Sequence, residues 1–432
     1  MGYVSAELQS HSKGELAMRR GVVYLGGAGR HLMDQTAMVV ADRIARSIQH
    51  KLKGESQASY RVRLESDVST LAPDITLDIA SIACAKPGGW EPAIDILEVK
   101  YLDRFARTFA PLSPLARAAR ALWVLYRFSL AKAKRSCARA EDGQPKLSRE
   151  DELQAQWLNC VALGTIGSIF YWVAIGVVAA LGLSIAVNAI TSWMIIPAVL
   201  ILVFAEAARK PIFEPFDRWS IETFAGAEYQ LNDKRFLAVQ NAILDAIVYA
   251  HQRDYGAVDL LTFSLGSLLA TDAIFPRHER KKISSSGLDV DNWITIGHPY
   301  DLIRYYLPNY FDMRQPPCVH YDNWINIVVK DDFLGTHFRP GDNRGIRLCD
   351  SEDRYAPDDP VDALPLEGLR QACRKQDRLW LRRIINHRIY WDDEDSRAPT
   401  CFDTVVDRAH WMKGVEAIQA AQRSAVDDSQ VR

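Results

Sequence analysis

Ser264 sits inside Val258-Asp259-Leu260-Leu261-Thr262-Phe263-Ser264-Leu265-Gly266-Ser267-Leu268-Leu269-Ala270, an apolar run that meets a serine and continues through small residues. The pattern predicts a short strand, a tight turn at the serine and a helix that opens directly after it. A serine in such a turn is lifted clear of its sheet, as a nucleophile must be. Its backbone is forced into an unfavourable conformation, so the residues two before and two after it must be small. Gly266 meets that need, and Thr262, where glycine is more usual, is still modest in size. The competing reading is a serine that merely caps a helix after a buried strand, a position serine favours.

A serine hydroxyl is a weak nucleophile; it needs a base, and the base needs an acid to orient it. Acid candidates follow later strands. Asp332 lies just past Ile327-Val328-Val329, in Lys330-Asp331-Asp332-Phe333-Leu334-Gly335. Adjacent Asp331 is a close rival and Asp301 an outside choice. Among the ten histidines, His387 in Asn386-His387-Arg388-Ile389-Tyr390-Trp391 follows the acid in a stretch of loop character. His410, in a helical segment, stands in reserve. His298 and His320 precede the acid, and His337 follows it too closely to belong to a separate loop.

These residues need a rigid frame. Gly21 to Leu25 reads as a strand, followed by Gly26-Gly27-Ala28-Gly29 and a helix reaching about Leu52. Arg61 to Glu65, Ile94 to Lys100, Trp293 to Gly297 and Trp324 to Val329 read as further strands, and Phe236 to Gln252 as a helix. Short apolar strands alternating with helices predict an α/β fold with a doubly wound, mainly parallel sheet. In such sheets ligands bind beyond the carboxyl ends of the strands, where Ser264 is expected. The acidic runs at Asp350 to Asp359 and Asp392 to Asp395 lack calcium-loop spacing and read as solvated loops. The glycine loop lacks both a third glycine and a later acid for a dinucleotide fingerprint, and no Gly-Lys-Ser/Thr makes it a P-loop. A plain strand-to-helix turn is its alternative reading.

Thr262-Phe263-Ser264-Leu265-Gly266 resembles the nucleophile elbow of α/β-hydrolase lipases and esterases. Trp324-Ile325-Asn326 through Asp332 resembles the strand and acid loop of membrane-associated members, and His387-Arg388-Ile389-Tyr390-Trp391 their histidine–aromatic loop. Gly26-Gly27-Ala28-Gly29 stands where they carry His-Gly-x-Gly, here without the leading histidine. The resemblance covers residues 20–100 and 235–411. It implies the chain order nucleophile, acid, histidine. It also implies that Ser264 attacks an acyl carbonyl, that His387 relays the proton and that Asp332 holds the imidazole tautomer. The amides of Leu265 and Ala28 would then form the oxyanion hole, with no cofactor and no metal required.

The middle of the chain is different. Between Glu152 and Glu206 there is no Asp, Glu, Lys, Arg or His. Such a stretch exceeds the roughly 20 apolar residues one membrane crossing needs. Two transmembrane helices are expected, at about 157–181 and 185–204, with Gly182 and Ser184 at the turn. Before them, Arg104 to Arg139 holds nine basic residues and no acidic one, and predicts a basic amphipathic helix over 113–139 that lies on an anionic leaflet. Basic residues flank both ends of the hairpin and none lies in its turn, which places both termini and the catalytic region in the cytoplasm. The expected organisation is therefore 1–103 and 211–432 as two parts of one hydrolase-like domain, with 104–210 as a membrane insertion. A buried helical pair in a soluble protein is the alternative to the hairpin.

Composition bounds the rest. A net charge of -2 argues against nucleic acid as a general partner. The seven cysteines are odd in number and form no C-x-x-C pair, which favours reduced thiols over a disulfide framework or zinc site. The first 20 residues are charged throughout and lack a signal-peptide core. The expectation is a membrane-anchored serine hydrolase acting on a membrane lipid or another acyl ester, with the bilayer as its partner. Nothing in the pattern specifies or forbids an oligomer. A catalytically inactive hydrolase-fold sensor, scaffold or membrane-disrupting effector is the reading from another class, and acyl transfer through the same triad is a third.

Overall fold

The structure is a computed structural model that describes residues 19–27, 36–51, 60–72, 75–86, 89–102, 237–253, 255–277, 288–300, 314–329, 357–363 and 401–412, with Arg104, Tyr229, Ile303, Leu307, Tyr310, Phe311, Asp332, Gly335, Thr336, Phe338 and Tyr390. The expected basic helix and transmembrane hairpin lie outside the described residues, as do Ala28, His387, Asp301 and Asp331. No helix among the described residues is long and apolar enough to cross a membrane.

The described strands form one mixed sheet. They are β1 (Arg20–Leu25), β2 (Tyr60–Ala72), β3 (Ile75–Lys86), β4 (Gly89–Lys100), β5 (Ala257–Phe263), β6 (Asp289–Ile296), β7 (His320–Val329) and β8 (Asp359–Ala363). Their spatial order is β2-β3-β4-β1-β5-β6-β7-β8. From β4 to β8 neighbours run parallel, while β2, β3 and β4 pair antiparallel as a meander on one side. The helices are α1 (Ala37–Lys51), α2 (Leu237–Gln252), α3 (Leu265–Ile274) and α4 (Cys401–Arg408). Asp359 begins β8, so the acidic run ending there is not wholly the solvated loop its composition suggests.

Both faces of the sheet are covered, which is why its central strands carry near-continuous apolar runs. On one face, Val23, Leu25, Leu260 and Trp293 pack with Ala242, Ile243 and Ile247 of α2 and Leu268 and Leu269 of α3. On the other, Val22, Tyr24, Leu261, Phe263, Ile294 and Ile327 pack with Val40, Ile44 and Ile48 of α1 and Phe402 and Val405 of α4. Helix α1 forms because its apolar residues recur at intervals of three and four, which turns one stripe to the sheet.

The order of strands reverses between β1 and β5. After β1 the chain crosses to the far edge at β2 and returns inward through β3 to β4, beside β1; from β5 it builds outward through β6, β7 and β8 to the other side. The helices that follow these two neighbours, α1 and α3, lie on opposite faces. In open α/β sheets, ligands bind beyond the carboxyl ends of the strands at such a switch point. Gly26 and Gly27 follow β1 there, and Ser264 follows β5.

Candidate active site

Ser264 joins β5 to α3 with φ 51° and ψ −118°, a conformation that residues with a Cβ rarely adopt. Its side chain makes no capping hydrogen bond to α3. A capping serine would have ordinary extended backbone and would accept from the first-turn amides. The geometry is that of the strained strand-to-helix turn. The Ser264 amide donates to Ile296 O at 2.9 Å, which ties the turn to β6, and the Ser267 amide donates to Ser264 O at 2.9 Å, which starts the helix.

The small residues are where space is shortest. A Cβ at Gly266 would stand 2.5 Å from the carbonyl oxygens of both Leu25 and Gly26, so the opening of α3 rides directly over the end of β1. A Cβ at Gly27 would stand 2.8 Å from Ser264 Cβ, which brings the glycine loop beside the nucleophile candidate. The buried Tyr101 hydroxyl donates to Gly26 O and pins that loop from β4's side. Leu265 opens α3, where the first amides of a helix have no partner within it. The arrangement brings Leu265 and the start of the glycine loop to one edge, although Ala28 itself lies outside the described residues.

Thr262 proves compatible with the turn. It is fully buried, and its Oγ1 lies 3.0 Å from Ser267 Oγ and donates to Ile294 O at 3.1 Å. Its register partner on β6 is Thr295, whose partner on β7 is Asn326. Thr295 Oγ1 donates to Asn326 Oδ1 at 2.8 Å, and Asn326 Nδ2 donates to Thr336 O at 3.0 Å. Thr336 N in turn donates to His298 O at 2.8 Å. Three strands therefore brace the loop that follows β7.

That loop carries Asp332, which is buried at 3% exposure. Its Oδ2 accepts from the Tyr390 hydroxyl at 2.8 Å. Tyr390 is itself buried, and its ring meets that of Phe263 edge-on at 5.7 Å between centroids. Phe263 immediately precedes Ser264. One continuous set of contacts thus runs from the elbow strand to the candidate acid through a residue three positions past His387. Sequence reading had given Tyr390 no role; its place inside the quoted histidine–aromatic stretch was the available signal. The distance between Ser264 and His387, which decides whether the triad is assembled, lies outside the described residues.

His298 is not a rival base. It is fully buried among Tyr300, Trp324 and Phe338, with Nε2 2.8 Å from Thr271 Oγ1. The Thr271 hydroxyl donates to Ser267 O, so Nε2 carries the proton, and Nδ1 has no hydrogen-bond partner among the described residues. Burial pushes its pKa down to about 3. Glu98, near the end of β4 on the same edge, goes the other way: burial raises it to about 7, although its Oε2 accepts from the first amide of α1 at 2.8 Å. His410, the reserve histidine, is exposed, beyond the end of α4. No group of three or more metal-ligating side chains occurs among the described residues.

No family model, no curated protein and no solved structure matches this chain.

Proposed function

We propose that the chain is a membrane-anchored serine hydrolase of α/β-hydrolase type that cleaves a carboxylic ester, with a membrane lipid as the substrate class. The observation that carries the reading is the backbone of Ser264: a left-handed φ at a strand-to-helix turn, with no capping bond to explain it. Strain of that kind costs of order 1–3 kcal/mol and persists where it serves a site. The position at the switch point and the buried, hydrogen-bonded Asp332 past β7 add support.

In this mechanism Ser264 Oγ attacks the ester carbonyl carbon while His387 takes its proton. The tetrahedral oxyanion is held by the amides of Leu265 and Ala28, and collapses as the alcohol leaves with the proton from His387. Water then adds to the acyl-enzyme by the same route, releasing the carboxylic acid and restoring Ser264. Tyr390 is three residues from His387, so the chain keeps the two Cα atoms within about 11 Å of each other. The lipid substrate and the cytoplasmic placement rest on the charge-free stretch between Glu152 and Glu206 and its basic flanks.

A fluorophosphonate probe tests the assignment. The full chain is expected to be labelled on Ser264, and Ser264→Ala to abolish labelling. Labelling that persists in that variant removes the assignment, and biological activity that persists in an unlabelled variant points to the non-catalytic sensor or effector instead.

A further inference from the structure

We infer that Tyr390 is a positioning residue for the acid of the reaction, holding the Asp332 carboxylate in one orientation and coupling it mechanically to the elbow; the inference rests on the serine-hydrolase reading. Asp332 follows β7 in a connecting loop, and loops hold side chains less tightly than strands do. A carboxylate that must orient an imidazole cannot be left to rotate. Tyr390 meets that need from outside the loop. Its hydroxyl donates to Asp332 Oδ2 at 2.8 Å, and both residues are almost wholly buried. A hydrogen bond to a charged acceptor in such surroundings is among the stronger ones.

Two further contacts fix the geometry. Val328 and Asp332 close around Gly335, where an added Cβ would stand 2.7 Å from both Asp332 Oδ2 and Val328 Cγ2. A side chain at 335 would press on the carboxylate oxygen that accepts from the tyrosine. On its other side the Tyr390 ring packs edge-on against Phe263, the last residue of β5. A shift of Phe263 is therefore passed to Tyr390 and from there to Asp332, so the nucleophile's strand and the acid share one support. The role of Tyr390 is positional, exerted through the carboxylate that accepts its hydrogen bond. Its effect is on the orientation of Asp332 and, through it, on the proton relay.

The test is the kinetics of fluorophosphonate labelling in the full chain bearing Tyr390→Phe, which keeps the ring against Phe263 and removes only the hydroxyl. The maximal labelling rate at Ser264 should fall about tenfold, the size expected when a hydrogen bond to a charged group is lost, while the half-saturating probe concentration stays unchanged. Wild-type labelling kinetics in this variant overturn the inference. So does a loss of rate that tracks a lowered melting temperature and a weakened half-saturation together, since that marks a purely structural tyrosine. Gly335→Ala reaches the same carboxylate from the opposite side and should lower the maximal rate in the same selective way; if Tyr390→Phe fails to fold, an unchanged rate in Gly335→Ala overturns the inference. A wild-type chain that takes no probe, or takes it at a residue other than Ser264, removes the hydrolase reading itself, which is a separate failure from a labelled wild type with an indifferent Tyr390→Phe.

Discussion

At Ser264 the backbone holds a conformation that a serine would leave if released, so neighbouring atoms must hold it there. Ile296 O anchors its amide, Ser267 N takes up its carbonyl, and the space for the turn comes from the absent side chain at Gly266. The two carbonyl oxygens facing Gly266 are backbone and cannot swing aside as a flexible side chain would. Gly266→Ala should therefore destabilise the protein by about 1–3 kcal/mol, the usual cost of overpacking, and should slow probe labelling of Ser264. Gly89→Ala is the matched control: a Cβ there meets nothing, so stability should stay within about 0.5 kcal/mol of wild type. Denaturant midpoints measured side by side decide the pair. The small-residue rule at 266 was readable from the sequence because sterics at a tight turn are local. The role of Tyr390 was not, since its partner Asp332 lies 58 positions away and no local pattern joins them.

Elements were legible in proportion to how far their own residues explain them. Strands β5, β6 and β7 stood out because burial on both faces demands apolar runs. Strand β8 did not: Asp359-Pro360-Val361-Asp362-Ala363 has the composition of a loop, and it is a strand because β7 offers it a parallel edge. Proline is tolerated on an edge strand, where its missing N–H need not face a partner. Strand β3 was likewise passed over, its apolar residues diluted by Ala80, Ser81 and Ala83, and its pairing with β2 and β4 supplies what propensity does not. The polar row Thr262, Thr295 and Asn326 belongs to this same scale. In sequence it is three unrelated polar residues; in register it is a brace that ends on the acid loop. Asn326→Leu would remove the bonds to the Thr295 hydroxyl and the Thr336 carbonyl, at about 0.5–1.5 kcal/mol for each bond lost; Trp324 Nε1 still donates to the Thr295 hydroxyl. Hydrogen exchange should also quicken at the Thr336 amide while the amides of β1 keep their protection. Equal acceleration everywhere would mean that Asn326 supports the sheet as a whole and not the acid loop in particular.

At the scale of the whole molecule, two ionisable groups among the described residues, buried His298 and partly buried Glu98, act on stability against pH with opposite sign. Burial lowers His298 from its ordinary 6.5 to about 3, so between those values the unfolded chain binds a proton that the folded chain refuses. Stability from this source is complete above pH 6.5 and is lost as pH falls toward 3. Burial raises Glu98 from its ordinary 4.5 to about 7, so between those values the folded chain holds the extra proton. That contribution is complete below pH 4.5 and is lost as pH rises through 7. The two slopes oppose each other across the overlap, from pH 4.5 to 6.5, and offset each other there. Glu98→Gln keeps an oxygen to accept from the Ala37 amide and removes the titration. Its stability should match wild type near pH 4.5 and exceed it by a few kcal/mol at pH 8, the difference growing between the two. Urea midpoints for both proteins at half-unit steps measure this directly. Parallel curves would show that Glu98 does not change its proton on unfolding.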